Sequence, residues 1–311
     1  VVNFMHQIGF HRALELEGVF THFATADCPE TLDFHIQAKR YIEAVEALRH
    51  EMGLDRPFFV RYGEWVLGAL RGDFGASYSY SMSVSQMLAG KLPITALLTA
   101  LAFLLIVVIS IPLGIFTAGH AGGRFDKALT VANQVLMAVP PFFTGVLLTL
   151  IFGLTLRWFT PGAFVAPEVS FWRSVGYLMF PAVSIALPRI AMTVKMLKGS
   201  ILTELERDYV RTSYSRGNSR RTTLYRHVLR NAVPATVTFL AMTVADIVAG
   251  SVVIEQVFAI PGLGRLLLSS ISGRDYPVVQ AVVVILACWV VLVNLIADLI
   301  NQRLDPRLRL S

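Results

Sequence analysis

Two ionisable residues stand inside long apolar stretches of this sequence, Arg189 and Asp246. A charge at the centre of a helix in lipid costs about 2.5–3.5 kcal/mol on insertion scales, so such a residue turns toward a cavity or a partner. Two functional uses fit: the residues line a path for a solute, or they pair with each other along it. The plainer alternative is that Arg189 reaches to the interface while Asp246 pairs inside a bundle for structure. The tandem Pro140-Pro141 is a second feature. Two prolines remove backbone donors and break the helical ladder. Irregular backbone at membrane depth is tolerated where it lines a cavity or is buried in protein, and a packing kink is the other reading. The third feature is the basic stretch 195–232, with Lys195, Lys198, Arg207, Arg211, Arg216, Arg220, Arg221, Arg226 and Arg230 against Glu204, Glu206 and Asp208. Guanidinium pairs carboxylate bidentately, so an arginine-rich helix pair can dock into an acidic protein groove. A solvated loop that only sets topology has the same composition.

The chemistry that is missing narrows the field. No G-x-x-x-x-G-K-[ST] occurs, so no phosphate cradle of that kind is encoded, and Gly262-Leu263-Gly264 lacks the third glycine of a dinucleotide site. The seven histidines show no H-E-x-x-H or clustered ligand spacing, and no Ser/His/Asp or paired-carboxylate set stands out. Cys28 and Cys288 lie far apart and form no disulfide framework or zinc spacing. The reading is therefore no catalytic residue and no metal, with energy supplied by a partner or an ion gradient.

The elements that must hold these residues are membrane helices. Of the 311 residues, 55% are hydrophobic and 15% charged; mean hydropathy is +0.60. A soluble domain carries about 25% charged residues. Crossing the hydrocarbon core takes about 20 apolar residues, and five stretches qualify: Ile94–Ala118, Ala128–Leu156, Ser174–Val194, Val233–Ile254 and Pro277–Ala297. The second should run to about Val139, kink, and continue to about Leu156. The net charge of +6 sits on residues that flank apolar runs, which favours a membrane surface over nucleic acid. By the positive-inside rule the stretch 195–232 is cytoplasmic, with the Arg124–Lys127 loop and the tail carrying Arg303, Arg307 and Arg309 on the same side. Residues up to about 92 then lie outside. Residues 39–72 read as helical with a break at Gly53 and Pro57, and a second short helix passes through Trp65, Leu67 and Leu70. Thr203–Arg216 reads as one polar helix stopped by Gly217, with Asn218-Ser219 as turn and N-cap for a helix from Arg220.

At this loop the sequence resembles a known family. Asp208-Tyr209-Val210-Arg211-Thr212, then Arg216-Gly217, then Arg226-His227-Val228-Leu229-Arg230-Asn231-Ala232-Val233-Pro234 is similar to the cytoplasmic loop of ABC-importer permeases, nearest to the dipeptide/oligopeptide/nickel type. Three further stretches agree. Leu48–Ser77, with Gly53-Leu54-Asp55-Arg56-Pro57 and Arg71-Gly72-Asp73-Phe74-Gly75, resembles that family's external segment. The most specific is the run from Glu255 through Pro261-Gly262-Leu263-Gly264-Arg265, followed by Asp275-Tyr276-Pro277. Leu304-Asp305-Pro306-Arg307 closes the chain. Two departures stand out: residues 1–30 do not show the family's first span, and Arg211-Thr212-Ser213 stands where the general importer signature has Glu-Ala-Ala.

The resemblance implies an all-α membrane protein of about five visible spans where the family has six. Residues 31–92 would be the external helical segment and 93–311 the permease domain. It implies a pore subunit in a prokaryotic inner membrane, C-terminus cytoplasmic, paired with a second homologous permease. Two ABC ATPase subunits would carry the ATP and Mg, and an external solute-binding protein would deliver peptides or peptide-sized solutes. The loop around Gly217 would contact an ATPase. A nickel or metal-chelate cargo is the alternative within the family, and an ion-coupled secondary transporter is the rival from another class. Such transporters often carry paired broken helices in inverted repeats; here one span carries a strong break and no repeat is seen.

Overall fold

The computed structural model describes residues 32–51 and 53–304; segment 1–30 and the Asp305-Pro306-Arg307 part of the closing motif lie outside the described residues. Among the described residues no β-strand occurs, only an isolated antiparallel bridge between Ala76 and Ser83. The chain divides into two units: residues up to Ala89 with Ser269–Val282, and Gly90–Leu268 with Val283 onward.

The first unit holds α1 (Leu32–Glu51), α2 (Phe58–Leu70) and α3 (Val84–Ala89). The break foreseen at Gly53 and Pro57 is there. Gly53 takes φ +62° just past the end of α1, and Pro57 leads into α2 with its fixed φ. The first helix begins at Leu32, earlier than the expected 39, because a charged start gives no periodicity to read.

The second unit is the helical body. It contains α4 (Leu92–Gly119), α5 (Arg124–Ala138), α6 (Pro141–Thr155), α7 (Phe171–Leu205), α8 (Asp208–Ser215) and α9 (Arg220–Val257). Two more helices, α10 (Leu263–Ser272) and α11 (Tyr276–Leu304), pass through the division between the units. Four helices are long and apolar enough to span a membrane, and the pair α5–α6 brings the number to five if it counts as one span. Lipid is as apolar as leucine, so such helices associate by close packing rather than by a hydrophobic drive. Accordingly α7 sits among α4, α5, α6 and α9. It interleaves Leu178, Ile185 and Val194 with Leu98 and Ile106 of α4 and Ile247 and Ile254 of α9, all buried. At Gly114 of α4 a Cβ would stand 2.9 Å from Leu197 Cδ2, the close approach that small residues permit.

The Pro140-Pro141 break falls where expected, and it is sharp: α5 and α6 meet at 97°. Pro140 holds an extended ψ of 141° and Pro141 starts the new helix at its first position, where proline's missing N–H is harmless. The polar helix foreseen over Thr203–Arg216 is two pieces. α7 continues to Leu205, Arg207 turns extended, and α8 starts at Asp208, whose carboxylate suits the positive end of a helix.

Candidate functional site

The basic loop is a braced helix pair. α8 buries Val210 against Ala118, Leu197, Ile201, Leu224 and Val228, so one face is anchored to the body. Ser213 Oγ lies 3.0 Å from Thr223 Oγ1 and accepts from Asn218 Nδ2 at 3.1 Å, clamping α8 to the start of α9. Gly217, at φ +81°, ends α8. Gly217 N donates to Tyr214 O at 2.9 Å and Asn218 N to Ser213 O at 3.2 Å, the paired bonds of a Schellman stop. Ser219 then caps α9 by accepting from Thr222 N at 3.2 Å. Tyr209 donates to Glu204 Oε2 at 2.7 Å. Burial pushes its phenol above the usual tyrosine range, so it remains a donor. The other face of the pair is exposed and presents Asp208, Arg211, Thr212, Arg216 and Arg226. Among the described residues none of these three arginines has an ion-pair partner.

Inside the spans the structure joins the two charges read from sequence. Arg189 Nη1 of α7 lies 2.9 Å from Asp246 Oδ2 of α9. The Arg189 side chain is 28% exposed and that of Asp246 55%. Pro140 and Pro141 sit at the α5–α6 elbow.

The Glu255 motif builds a buried junction that sequence reasoning named without explaining. Glu255 is wholly buried near the end of α9. One carboxyl oxygen accepts from Thr95 Oγ1 of α4 at 2.6 Å. The other accepts from Gly264 N at 2.7 Å and Arg265 N at 3.1 Å, the first free amides of α10. Thr95 Oγ1 in turn accepts from Leu263 N at 2.9 Å. Three helices therefore meet on one carboxyl group and one hydroxyl. The glycines follow from this. A Cβ at Gly262 would run into the Glu255 carboxyl, and one at Gly264 into the backbone of Val252. Arg265 Nη1 closes the turn on Ala259 O at 2.9 Å, and Tyr177 donates to Phe258 O at 2.6 Å while accepting from Gly162 N at 2.9 Å. Pro261 supplies the residue before the turn glycine and makes no hydrogen bond of its own nitrogen. Thr95 and Tyr177 gave no signal in the sequence, since each sits within an apolar run.

Asp275, in the other unit, is a second buried carboxylate. It accepts from Ser77 Oγ at 2.5 Å and from Tyr78 N at 3.1 Å, and Tyr80 N donates to Ser77 Oγ at 3.0 Å. It is the latch that shapes the 77–80 turn. Tyr276 beside it is 62% exposed and takes no part in the latch. Asp275→Ala strands the buried Ser77 hydroxyl, a loss of about 1–3 kcal/mol, and takes the acceptor from the part-buried Tyr78 amide, so amides 78–80 should exchange with deuterium about tenfold faster or more. Hydrogen-exchange mass spectrometry checks this, and unchanged protection would show that the turn holds itself.

Comparisons with known proteins follow the same lines. Residues 110–310 match the family model of the binding-protein-dependent transport system inner membrane component. The chain belongs to that family and is a transmembrane permease subunit of an ABC importer, a multi-pass membrane protein. It is 34% identical over 267 residues to the protein named "Probable peptide ABC transporter permease protein y4tP" of Sinorhizobium fredii, covering 86% of this chain and 85% of that one. It is 34% identical over 266 residues to the oligopeptide transport system permease protein AppB of Bacillus subtilis, covering 85% and 84%. Among solved structures it shares its fold with a chain of the inward-facing MetNI methionine ABC transporter, at a TM-score of 0.58, 18% identity, 71% of this chain and 97% of that one.

Proposed function

We propose that this permease conducts peptides across a prokaryotic inner membrane, driven by ATP that partner subunits bind with Mg and hydrolyse. The peptide cargo is supported by the names of the similar proteins from Sinorhizobium and Bacillus, which speak of peptides and not of nickel. The assembly proposed is this chain, a second homologous permease, two ABC ATPases and an external solute-binding protein. The chain itself performs no catalysis. The C-terminus and the α8–Gly217 loop lie on the cytoplasmic side, as the lysine and arginine excess there supports. On that side the exposed Arg211, Arg216 and Arg226 face an ATPase, and the packing of Val210 makes α8 stiff enough to carry a push into α7 and α9.

The observation that carries the conduit is Asp246. Its carboxylate lies well inside α9, is paired on one side with Arg189, and is still half exposed. Lipid does not tolerate that surface, so the open side faces a water-filled path. Asp246→Asn keeps the shape and removes the charge. Uptake of peptide by the reconstituted complex should fall about tenfold, a barrier change of about 1.4 kcal/mol. The amount of assembled complex should stay close to wild type. Unaltered uptake, or a complex that no longer assembles, would contradict the placement of this charge on the path.

A further inference from the structure

The helix α2 is apolar, yet it neither crosses a membrane nor enters a core. Its 13 residues, Phe58–Leu70, reach about 20 Å against a hydrocarbon thickness of about 30 Å. An apolar helix of this length belongs in a protein core or at a membrane interface, and none of its residues is buried. Phe59 is 82% exposed and Leu70 80%. At about 100° per residue the exposed Phe59, Tyr62, Leu67 and Leu70 share one arc about 140° wide, with only Gly63 and Val66 between them. The exposed Phe58 extends this face, its ring centre 5.5 Å from that of Phe59 and 6.2 Å from that of Tyr62. A continuous apolar face of this kind marks a surface that something covers. The charges lie on the other side of the helix. Glu64 is held by Arg56 at 2.6 Å. Arg61, and Arg71 just past the helix, have no carboxylate at ion-pair distance among the described residues.

Phenylalanine and leucine on one face, arginine on the other and tyrosine at the edge form the pattern of a helix that lies in the plane of a membrane interface. We infer that α2 rests flat on the bilayer, with its Phe59–Leu70 face among the upper acyl chains and Arg61 and Arg71 level with the lipid phosphates. A guanidinium meets phosphate oxygens bidentately, which suits both arginines to that level. The covalent chain keeps the helix within reach of lipid. α2 shares its unit with α3, and only Gly90 and Lys91 separate α3 from the membrane-spanning α4. A soluble protein that docks and leaves is the poorer occupant, because each departure would return Phe59, Leu67 and Leu70 to water, whereas lipid covers them throughout. The inference needs only a membrane permease and stands apart from the nature of the cargo.

The test uses the full chain, assembled with its partner subunits in phospholipid nanodiscs, with Cys28 and Cys288 changed to serine. A nitroxide is attached at Phe59→Cys, Leu70→Cys or Glu64→Cys before the subunits are combined. Its collisions with oxygen, which concentrates in lipid, and with chromium oxalate, which stays in water, give its depth. Labels at 59 and 70 should lie about 5–10 Å below the phosphates, and the label at 64 should lie in water. All three positions are exposed, so the labels displace no core contact, and Leu67→Cys repeats the measurement on the apolar arc. Labels at 59, 67 and 70 that meet chromium oxalate as freely as the label at 64 would place the face in water and overturn the inference. Labels there that are shielded from both reagents would show that a protein covers the face, the second permease or the solute-binding protein, and would overturn it as well.

Discussion

A Gly264→Ala chain is expected to vanish from the membrane fraction, although the substitution adds one methyl group. The added Cβ would collide with the Cα of Val252, a backbone atom near the end of α9 that no rotamer change can move. α10 must then shift away, and the shift takes Gly264 N and Arg265 N off the Glu255 carboxyl. Overpacking alone costs about 1–3 kcal/mol. Each buried donor left without an acceptor adds about 1–3 kcal/mol. Together these approach the 5–15 kcal/mol or so that holds a typical domain together. Glu255→Ala should do comparable damage by another route, since it leaves the backbone in place and strands the same donors. Gly250→Ala is the control: it lies in the same helix, a Cβ there meets nothing within 4 Å, and its amount should match the wild type. Immunoblots of membrane fractions and melting curves in mild detergent measure the effect. A Gly264→Ala chain that accumulates and melts like the wild type would mean that α10 is free to slide over α9, and that the Glu255 junction is not what fixes it.

What could be read from the sequence tracks how local each signal is. The spans were legible because lipid demands some 20 residues with almost no charge, and that demand is written residue by residue. The stop at Gly217 was legible because its bonds reach only to Tyr214 and, from Asn218, to Ser213. The position of the Pro140-Pro141 break was legible from the missing donors, but its 97° angle was not. A lost hydrogen bond states where a helix ends, and the packing of α6 on α7 decides where the chain goes next. Arg189 and Asp246 announced a need for partners, since a lone charge in lipid is costly; that each is the other's partner, 2.9 Å apart, came from the packing of α7 on α9. Glu255 was visible only as part of a family motif. Its role depends on Thr95, 160 residues away, and on α10 folding back over it. Asp275 likewise finds Ser77 across 198 residues.

Gly217→Val should separate ATP hydrolysis from transport while sparing the membrane body. Gly217 holds φ +81° in open space, where a Cβ meets no atom within 4 Å. The penalty is therefore conformational and not steric against neighbours. A left-handed backbone costs an ordinary L-residue about 1–2 kcal/mol, and a β-branched side chain is the worst fit. The chain can escape by moving φ to negative values. That breaks the bonds from Gly217 N and Asn218 N and swings α8 on the Ser213–Thr223 clamp. The disturbance reaches the small cluster around Val210 at this end of the body, while the main core of α4, α7 and α9 around Leu98, Leu178 and Ile247 contains no residue of α8. The expected chain inserts and accumulates, but its exposed arginines no longer meet the ATPase in register. In the reconstituted complex, peptide uptake should drop by tenfold or more, while ATP hydrolysis is either lost with ATPase binding or continues without driving uptake. Gly217→Asn, which tolerates the left-handed region, should recover much of the coupling. The measurement is uptake and ATPase activity side by side for the wild type and both variants. Coupling that is intact in Gly217→Val would remove this loop as the ATPase contact, and uptake equally poor in the valine and asparagine variants would show that the backbone conformation at 217 is not what coupling depends on.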